Sequence, residues 1–324
     1  MKLRATAGHI ACVGGAAALL VAAGACAQNW PVKAVRVIVP FAPGGGADLT
    51  ARPVSQKLSE HLGQQFVVDN RGGAAGAIGM ELVAKSPPDG YTIMVMSSSY
   101  SATPATHKLP FDLFAATIPV VEIGHTPSVL VVHPSLPVRS TRELIDLARA
   151  RPGQLIFAST GVGGATHLVT ELFASMAKIK MVHVPYKSTG LATIEVVGGH
   201  CQLMVGSLLG TIAHFQAGKL RALAVTSARR WHSQPQLPAV AETVPGYETE
   251  VWYGVWVPRG TPQPIIERLN AAVNRLLQEA DIKKWLETQG MAASGGTAAR
   301  LEERARKDYE RWVRVVKASN IRIE

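Results

Sequence analysis

The residues with chemistry to offer gather in three glycine-rich stretches. They are Phe41-Ala42-Pro43-Gly44-Gly45-Gly46-Ala47-Asp48, Asn70-Arg71-Gly72-Gly73-Ala74-Ala75-Gly76 and Ser159-Thr160-Gly161-Val162-Gly163-Gly164-Ala165-Thr166. Backbone without side chains exposes its N–H groups. Where such a loop runs into a helix start, those donors sit at the positive end of the helix dipole. The chemistry on offer is anion binding, helped by the hydroxyls of Ser159, Thr160 and Thr166. Two phosphate loops are excluded. The spacing Gly44, Gly46, Leu49 breaks G-x-G-x-x-G, and no Lys follows the glycines as a Walker loop requires. Alone, the first loop reads equally well as a βα turn with no ligand. Three loops of one design weigh against coincidence.

The flanking segments are the elements that must position these loops. Val35–Phe41 is a β-branched, strand-length run, and Ala51, Val54, Leu58 and Leu62 follow at helical spacing. Gln65–Val68 precedes the second loop and Ala77–Ala84 follows it. Leu155–Ala158 precedes the third, and Ala165, Leu168, Val169, Leu172, Phe173 and Met176 form a helical face after it. Along the whole chain, strands are expected at 35–41, 65–69, 91–97, 118–124, 127–133, 155–159, 181–185, 201–206, 221–227 and 251–257. Helices are expected at 47–62, 75–85, 140–150, 165–178, 189–198, 210–217, 263–279, 281–289 and 297–317. This alternation argues for α/β layers with mainly parallel sheets, whose ligands bind beyond the carboxyl ends of the strands. Ser140-Thr141-Arg142-Glu143 reads as a capping box, Thr261-Pro262 as an N-cap and N1 proline, and Thr297 as the cap of the last helix.

The N-terminus reads as an export signal. Lys2 and Arg4 precede the apolar run Ile10–Ala23, and Ala25-Cys26-Ala27 is a cleavage site of the A-x-A type. Cleavage after Ala27 ranks first and lipid attachment at Cys26 second. The apolar run is too short for a membrane anchor. Removal of Lys2 and Arg4 lowers the formal charge from +10 to +8 and leaves 297 of 324 residues, enough for two lobes. Cys201 is the only cysteine left, which excludes an intrachain disulfide and a cysteine-based metal site and fits a periplasm. The basic residues are dispersed, so a solvated basic surface is expected and nucleic-acid binding is not. No cofactor and no metal are expected. Neither G-x-S-x-G nor H-E-x-x-H occurs, and the histidines lack metal spacing, which leaves little support for an exported hydrolase.

Six ordered stretches together resemble a known family: Val35–Arg52, Asn70–Gly79, Pro88-Asp89-Gly90-Tyr91, Ser159–Leu168, His183-Val184-Pro185-Tyr186-Lys187 and Ala217–Ser227. They resemble the Bug (Bordetella uptake gene) family, substrate-binding receptors of tripartite tricarboxylate transporters, over essentially the whole mature chain. The resemblance implies a two-lobed type II periplasmic-binding fold of mixed sheets flanked by helices and joined by two crossover strands. It implies a small carboxylate ligand, di- or tricarboxylate or aromatic acid, membrane transporter subunits as partners, a monomer, and no catalysis. A sensor that contacts a signalling partner would have the same lobes. Crossings are expected near Val129–Val138 and Ser227–Tyr253. That gives one lobe of 28–128 plus 250–324 and a second of 129–249.

The implied site joins Phe41, Ala42, Gly44, Gly45 and Asp48 on one side to Ser159, Thr160, Gly161 and Thr166 on the other, with Tyr186, Lys187 and Ser207 nearby. Ser97 and Ser99, in a hydroxyl-rich loop Met96–Ser101, are expected at the distal end of the ligand. Phe41 and Tyr186 suit a ligand's apolar body or the core, and Lys187 suits solvent at least as well as a carboxylate. Asp48 reads as an N-terminal helix acid, Arg52 as a surface ion-pair former, and Arg71, His167 and His183 as structural. Many family members carry an Asp where this chain has Gly206, in Val205-Gly206-Ser207-Leu208. Loss of that acid argues against amino-acid ligands.

Overall fold

The computed structural model describes residues 30–318. The expected signal segment and cleavage site lie outside the described residues. In the first unit, β1 (Val35–Val39) lies between β2 (Phe66–Asn70) and β3 (Thr92–Ser97), parallel to both. Helix α1 (Gly46–Leu62) follows β1, a 3-10 turn (Ala74–Gly76) and α2 (Ala77–Ala84) follow β2, and α3 (Ser99–Thr106) follows β3. A short helix, α4 (Leu113–Ala116), leads into β4 (Thr117–Val132).

β4 is one strand of 16 residues, where the sequence pattern predicted two, at 118–124 and 127–133. Its continuity comes from partners distant in sequence. The stretch Thr117–Pro127 runs antiparallel to β9 (Glu250–Pro258), which also lies antiparallel to β3. His125 and Gly124 pair with the two-residue β10 (Ala292–Ala293). From Ser128 onward β4 pairs with β7 (Leu203–Ser207) and β8 (Arg221–Val225) instead. A single strand therefore belongs to both units. The second passage lies beside it. Thr226 N–H donates to the Ser128 carbonyl at 2.9 Å, and Ser128 N–H donates to Thr226 Oγ1 at 2.8 Å. Thr226 Oγ1 in turn donates to the Thr249 carbonyl at 2.8 Å.

The second unit repeats the parallel pattern. β5 (Ile156–Ser159) lies between β6 (Val182–Pro185) and β7. Its helices are α5 (Thr141–Ala150), α6 (Ala165–Ala177), α7 (Thr189–Val197) and α8 (Leu208–Gln216). Sheets are thus parallel within each unit and antiparallel where β4 and β9 join them, so the expectation of mainly parallel sheets holds only locally. Helices α9 (Gln263–Leu276), α10 (Ala280–Thr288) and α11 (Ala298–Ala318) complete the chain.

Alternation along β4 explains the core of the second unit. Leu130 and Val132 enter one cluster with Phe157, Leu168 and Phe173, whereas Val129 and Val131 enter another with Ala192, Val196 and Met204. The first unit has its own cluster, with Val37, Ile93, Trp256 and Leu269. α11 touches both, through Leu301 and Ala305 on one side and Trp312 on the other.

The loop expected over Met96–Ser101 is instead the end of β3, through Ser97, and the start of helix α3 at Ser99. Its Ser/Thr-rich composition favours turns, and tertiary bonds override that preference. Tyr100 stacks on Trp256 at 4.4 Å, Ser101 Oγ donates to the Ala305 carbonyl, and Thr103 Oγ1 donates to the Ala75 carbonyl, both at 2.8 Å. Two of the three caps expected from sequence form, at Ser140, whose Oγ accepts from Glu143 N–H, and at Thr297, whose Oγ1 accepts from Arg300 N–H; at the third, Pro262 itself is the N-cap of the helix from Gln263, and Thr261 Oγ1 donates to the Pro258 carbonyl instead.

Candidate functional site

The loop after β1 is held from behind by a carboxylate. Asp48 is 2% exposed. Its Oδ2 accepts from Gly44 N–H at 3.0 Å and from Arg52 Nε at 2.9 Å; its Oδ1 accepts from Arg52 Nη2 at 2.9 Å and Asn70 Nδ2 at 3.0 Å. Burial opposes ionisation, but these donors outweigh it and hold the carboxyl below its ordinary range. Asp48 is therefore fully occupied in shaping the loop. Arg52 forms the ion pair expected of it, with Asp48. Gly44 takes φ +78°, which only glycine adopts without strain, and so turns the chain toward Gly45 and Gly46.

The opposing loop is held by neutral groups. Thr160 N–H donates to Thr166 Oγ1, and the two threonine hydroxyls lie 2.8 Å apart. Ser159 Oγ sits 2.6 Å from His183 Nε2, and Gly163 N–H donates to His167 Nδ1 at 2.9 Å. The imidazoles of His167 and His183 stack at 3.9 Å, and the Phe157 ring lies 4.9 Å from His183 and 6.0 Å from His167. Burial lowers His183 to about 4; burial and the neighbouring imidazoles of His183 and His107 lower His167 to about 3. Both are uncharged at neutral pH, in keeping with the structural role expected for them.

The two units meet along this line. Ala42 N–H donates to the Lys187 carbonyl at 3.2 Å, Thr106 Oγ1 to the Gly163 carbonyl at 2.9 Å, and Ala165 N–H to Ser99 Oγ at 3.3 Å. Between them lies a cavity of about 30 Å³, room for a carboxylate-sized group or a water or two. Its wall is built from helix starts. Gly45, Gly46 and Ala47 belong to α1, Ser99 to α3, Ala165 and Thr166 to α6, Thr189 to α7, and Ser207 caps α8. α1 and α6 begin on glycine N-caps, Gly45 and Gly164, that supply no side-chain cap, and the first turns of both helices line the cavity, with Ala165 N–H already donating to Ser99 Oγ. Among the described residues, no Lys, Arg, His, Asp or Glu lines it.

Seven of the residues expected from sequence line this cavity: Phe41, Gly45, Ser97, Ser99, Thr160, Thr166 and Ser207. Ala42, Gly44, Asp48 and Ser159 stand behind the wall in the bonds just described. Gly161, Tyr186 and Lys187 instead line an adjoining outer hollow of about 260 Å³, which shares Phe41 and Thr160 with the cavity. Tyr186 turns its hydroxyl away, to Glu195 Oε2 at 3.3 Å and Cys201 Sγ at 3.6 Å. Three lining residues outside the loops escaped sequence reasoning: Thr189, Val251 and Tyr253. Thr189 had a local signal, the N-cap Ser188 before it, whose Oγ accepts from Leu191 N–H. Val251 and Tyr253 had none, because β9 reaches the site only through its pairing with β3 and β4. A side chain at Gly206 would point at Met204 and Thr211, with Thr189 behind them at 3.5 Å.

A donor-lined cavity between two α/β units is consistent with a solute receptor of type II periplasmic-binding architecture. The family described as TctC, tripartite tricarboxylate transporter family receptor, matches residues 50–321. BugT of Bordetella pertussis is 34% identical over 311 residues, 94% of each chain. Among solved structures, R. palustris Rpa4515 with adipate is 37% identical, covering 90% of this chain and 99% of that one with a TM-score of 0.88. MatC from Rhodopseudomonas palustris with bound malate is 29% identical, covering 89% and 100% with a TM-score of 0.85. The chain belongs to the TctC/Bug family of tripartite tricarboxylate transporter receptors. It is a binding protein rather than an enzyme, it works with a transporter of that type, and its membership is consistent with a periplasmic location.

Proposed function

We propose that this protein captures a small carboxylate between its lobes and delivers it, as a monomer, to the membrane subunits of a tripartite tricarboxylate transporter. One observation carries the reading: the starts of two helices without side-chain caps, α1 and α6, line one cavity together with hydroxyls and no charged side chain. Such a wall is rich in donors, which suits an acceptor-only group such as a carboxylate. The amides of Gly45 and Gly46 and the hydroxyls of Thr160, Thr166, Ser97, Ser99 and Ser207 hold the acid. Ala42, Gly44, Asp48 and Ser159 set the loops. The cavity admits little more than the acid group, so the ligand's body passes Phe41 and Thr160 into the outer hollow beside Gly161, Tyr186 and Lys187. The relatives with adipate and with malate agree with this ligand class.

The lobes are 28–128 with 250–324, and 129–249; they hinge where Ser128, Thr226 and Thr249 bond. Export follows cleavage after Ala27. Gentle purification followed by mass analysis of the retained small molecule, then calorimetry with a carboxylate panel, tests the proposal. Saturable binding without turnover is expected; product formation, or no acid that binds, would overturn it. With no acid at Gly206 to pair with an amine, succinate binds better than aspartate, and equal affinities would count against that part.

A further inference from the structure

Tyr253 lines the cavity beside the glycine loop that follows β1. It lies on β9, one of the two strands through which the units are joined, and is 1% exposed. Its hydroxyl points at the start of α1: a Cβ placed on Gly46 would lie 2.2 Å from it and 3.0 Å from Ser207 Oγ. Ser207, the N-cap of α8 in the second unit, lies close enough to that hydroxyl to ease its ionisation. One phenol of the cavity wall thus lies close to a helix start of each unit. Burial pushes it up to about 12 against the opposing effect of Ser207, so at neutral pH it is a protonated donor.

We propose that Tyr253 determines specificity for the ligand's acid group, donating its hydroxyl to the carboxylate seated at the α1 N-terminus and so tying ligand capture to the contact between the lobes. This rests on the carboxylate reading above. A buried, uncharged phenol with a serine hydroxyl close by can turn its proton to the ligand without leaving a buried charge behind. Phenylalanine would keep the buried ring and remove only the donor. A hydrogen bond to a charged acceptor corresponds to roughly 10- to 100-fold in affinity.

Calorimetric titration of wild type, Tyr253→Phe and Ser207→Ala with adipate, malate and nicotinate tests the assignment. Whichever acid the wild type binds loses roughly 10- to 100-fold in Tyr253→Phe and less in Ser207→Ala, with the thermal midpoint checked for each variant. Affinity within about twofold of wild type in Tyr253→Phe overturns the role of Tyr253 and leaves the carboxylate reading standing. Failure of the wild type to bind any of the three acids overturns both. If Tyr253→Phe does not fold, ¹³Cζ-tyrosine spectra of a Tyr186→Phe protein, which lacks the other tyrosine of the cleft, supply the readout. A tyrosine resonance that moves on titration supports the donor, and none that moves overturns it.

Discussion

The two loops that face each other across the cavity are built alike and held differently. The first is pinned by charge, with Asp48 accepting from Arg52, Gly44 and Asn70. The second is pinned by neutral groups, the Thr160–Thr166 pair and two stacked histidines that burial keeps unprotonated. The contrast shows how a site can favour an anion without a cation. The one buried charge near the loops is compensated by Arg52 on the side away from the cavity, and the imidazoles carry none. What the cavity presents is the field of helix starts and a set of hydroxyl donors, aligned before any ligand arrives.

The comparison can be broken at either loop. The largest effect is expected at the cavity wall itself. Gly46→Ala would drive a methyl against Tyr253 and Ser207, so calorimetry should show binding weakened by at least about 100-fold while circular dichroism stays that of the wild type. Asp48→Ala removes the charged pin. Arg52 is half exposed and can rehydrate, so the expected loss is about 2 kcal/mol in urea unfolding, below that for a fully buried pair. Thr166→Val takes away the acceptor of Thr160 N–H; a loss of about 1–2 kcal/mol is expected by the same measurement.

Acid should separate the loops. His167 and His183 are lowered in the folded chain, so the unfolded chain binds protons first, beginning near pH ~6.5. Their contribution is whole above that pH and declines as pH falls toward about 4 and 3. Asp48, lowered from its ordinary value, keeps its contribution whole above the ordinary carboxylate range and loses it as pH falls from there toward its lowered folded value. Thermal midpoints should therefore fall between about pH 6 and 4 in wild type. In Asp48→Ala the fall over that window should be the same, and a flat profile would contradict the histidine account. The smallest effect is expected from salt. With no cation lining the cavity, ligand affinity should change less than about threefold between roughly 0.05 and 0.5 M salt.

Much of the site was legible because its loops are local. A strand, glycines and a helix start within 20 residues declare a βα turn wherever the rest of the chain lies, and Gly44–Gly46 and Ser159–Thr166 could be found that way. The capping serines were legible for the same reason. What resisted reading is what depends on distant partners. β4 looks like two strands until β9 and β10 pair with it across Gly124 and His125. α3 looks like a loop until Trp256, Ala305 and Ala75 hold it. Tyr253 lies more than 200 residues beyond the loop it faces, and nothing in Val251–Trp256 distinguishes it from a core aromatic. Tyr186 shows the converse: a motif placed it near the cleft, but the bonds to Glu195 and Cys201 turn its hydroxyl away.

The central claim is that a wall of donors selects an ionised acid. Titration calorimetry with adipate, malate and nicotinate, each beside its amide, tests it most directly. The amide puts a donor where the wall already has donors, so the account predicts saturable binding of at least one acid and affinity at least about 100-fold weaker for its amide. Equal binding of acid and amide would contradict it.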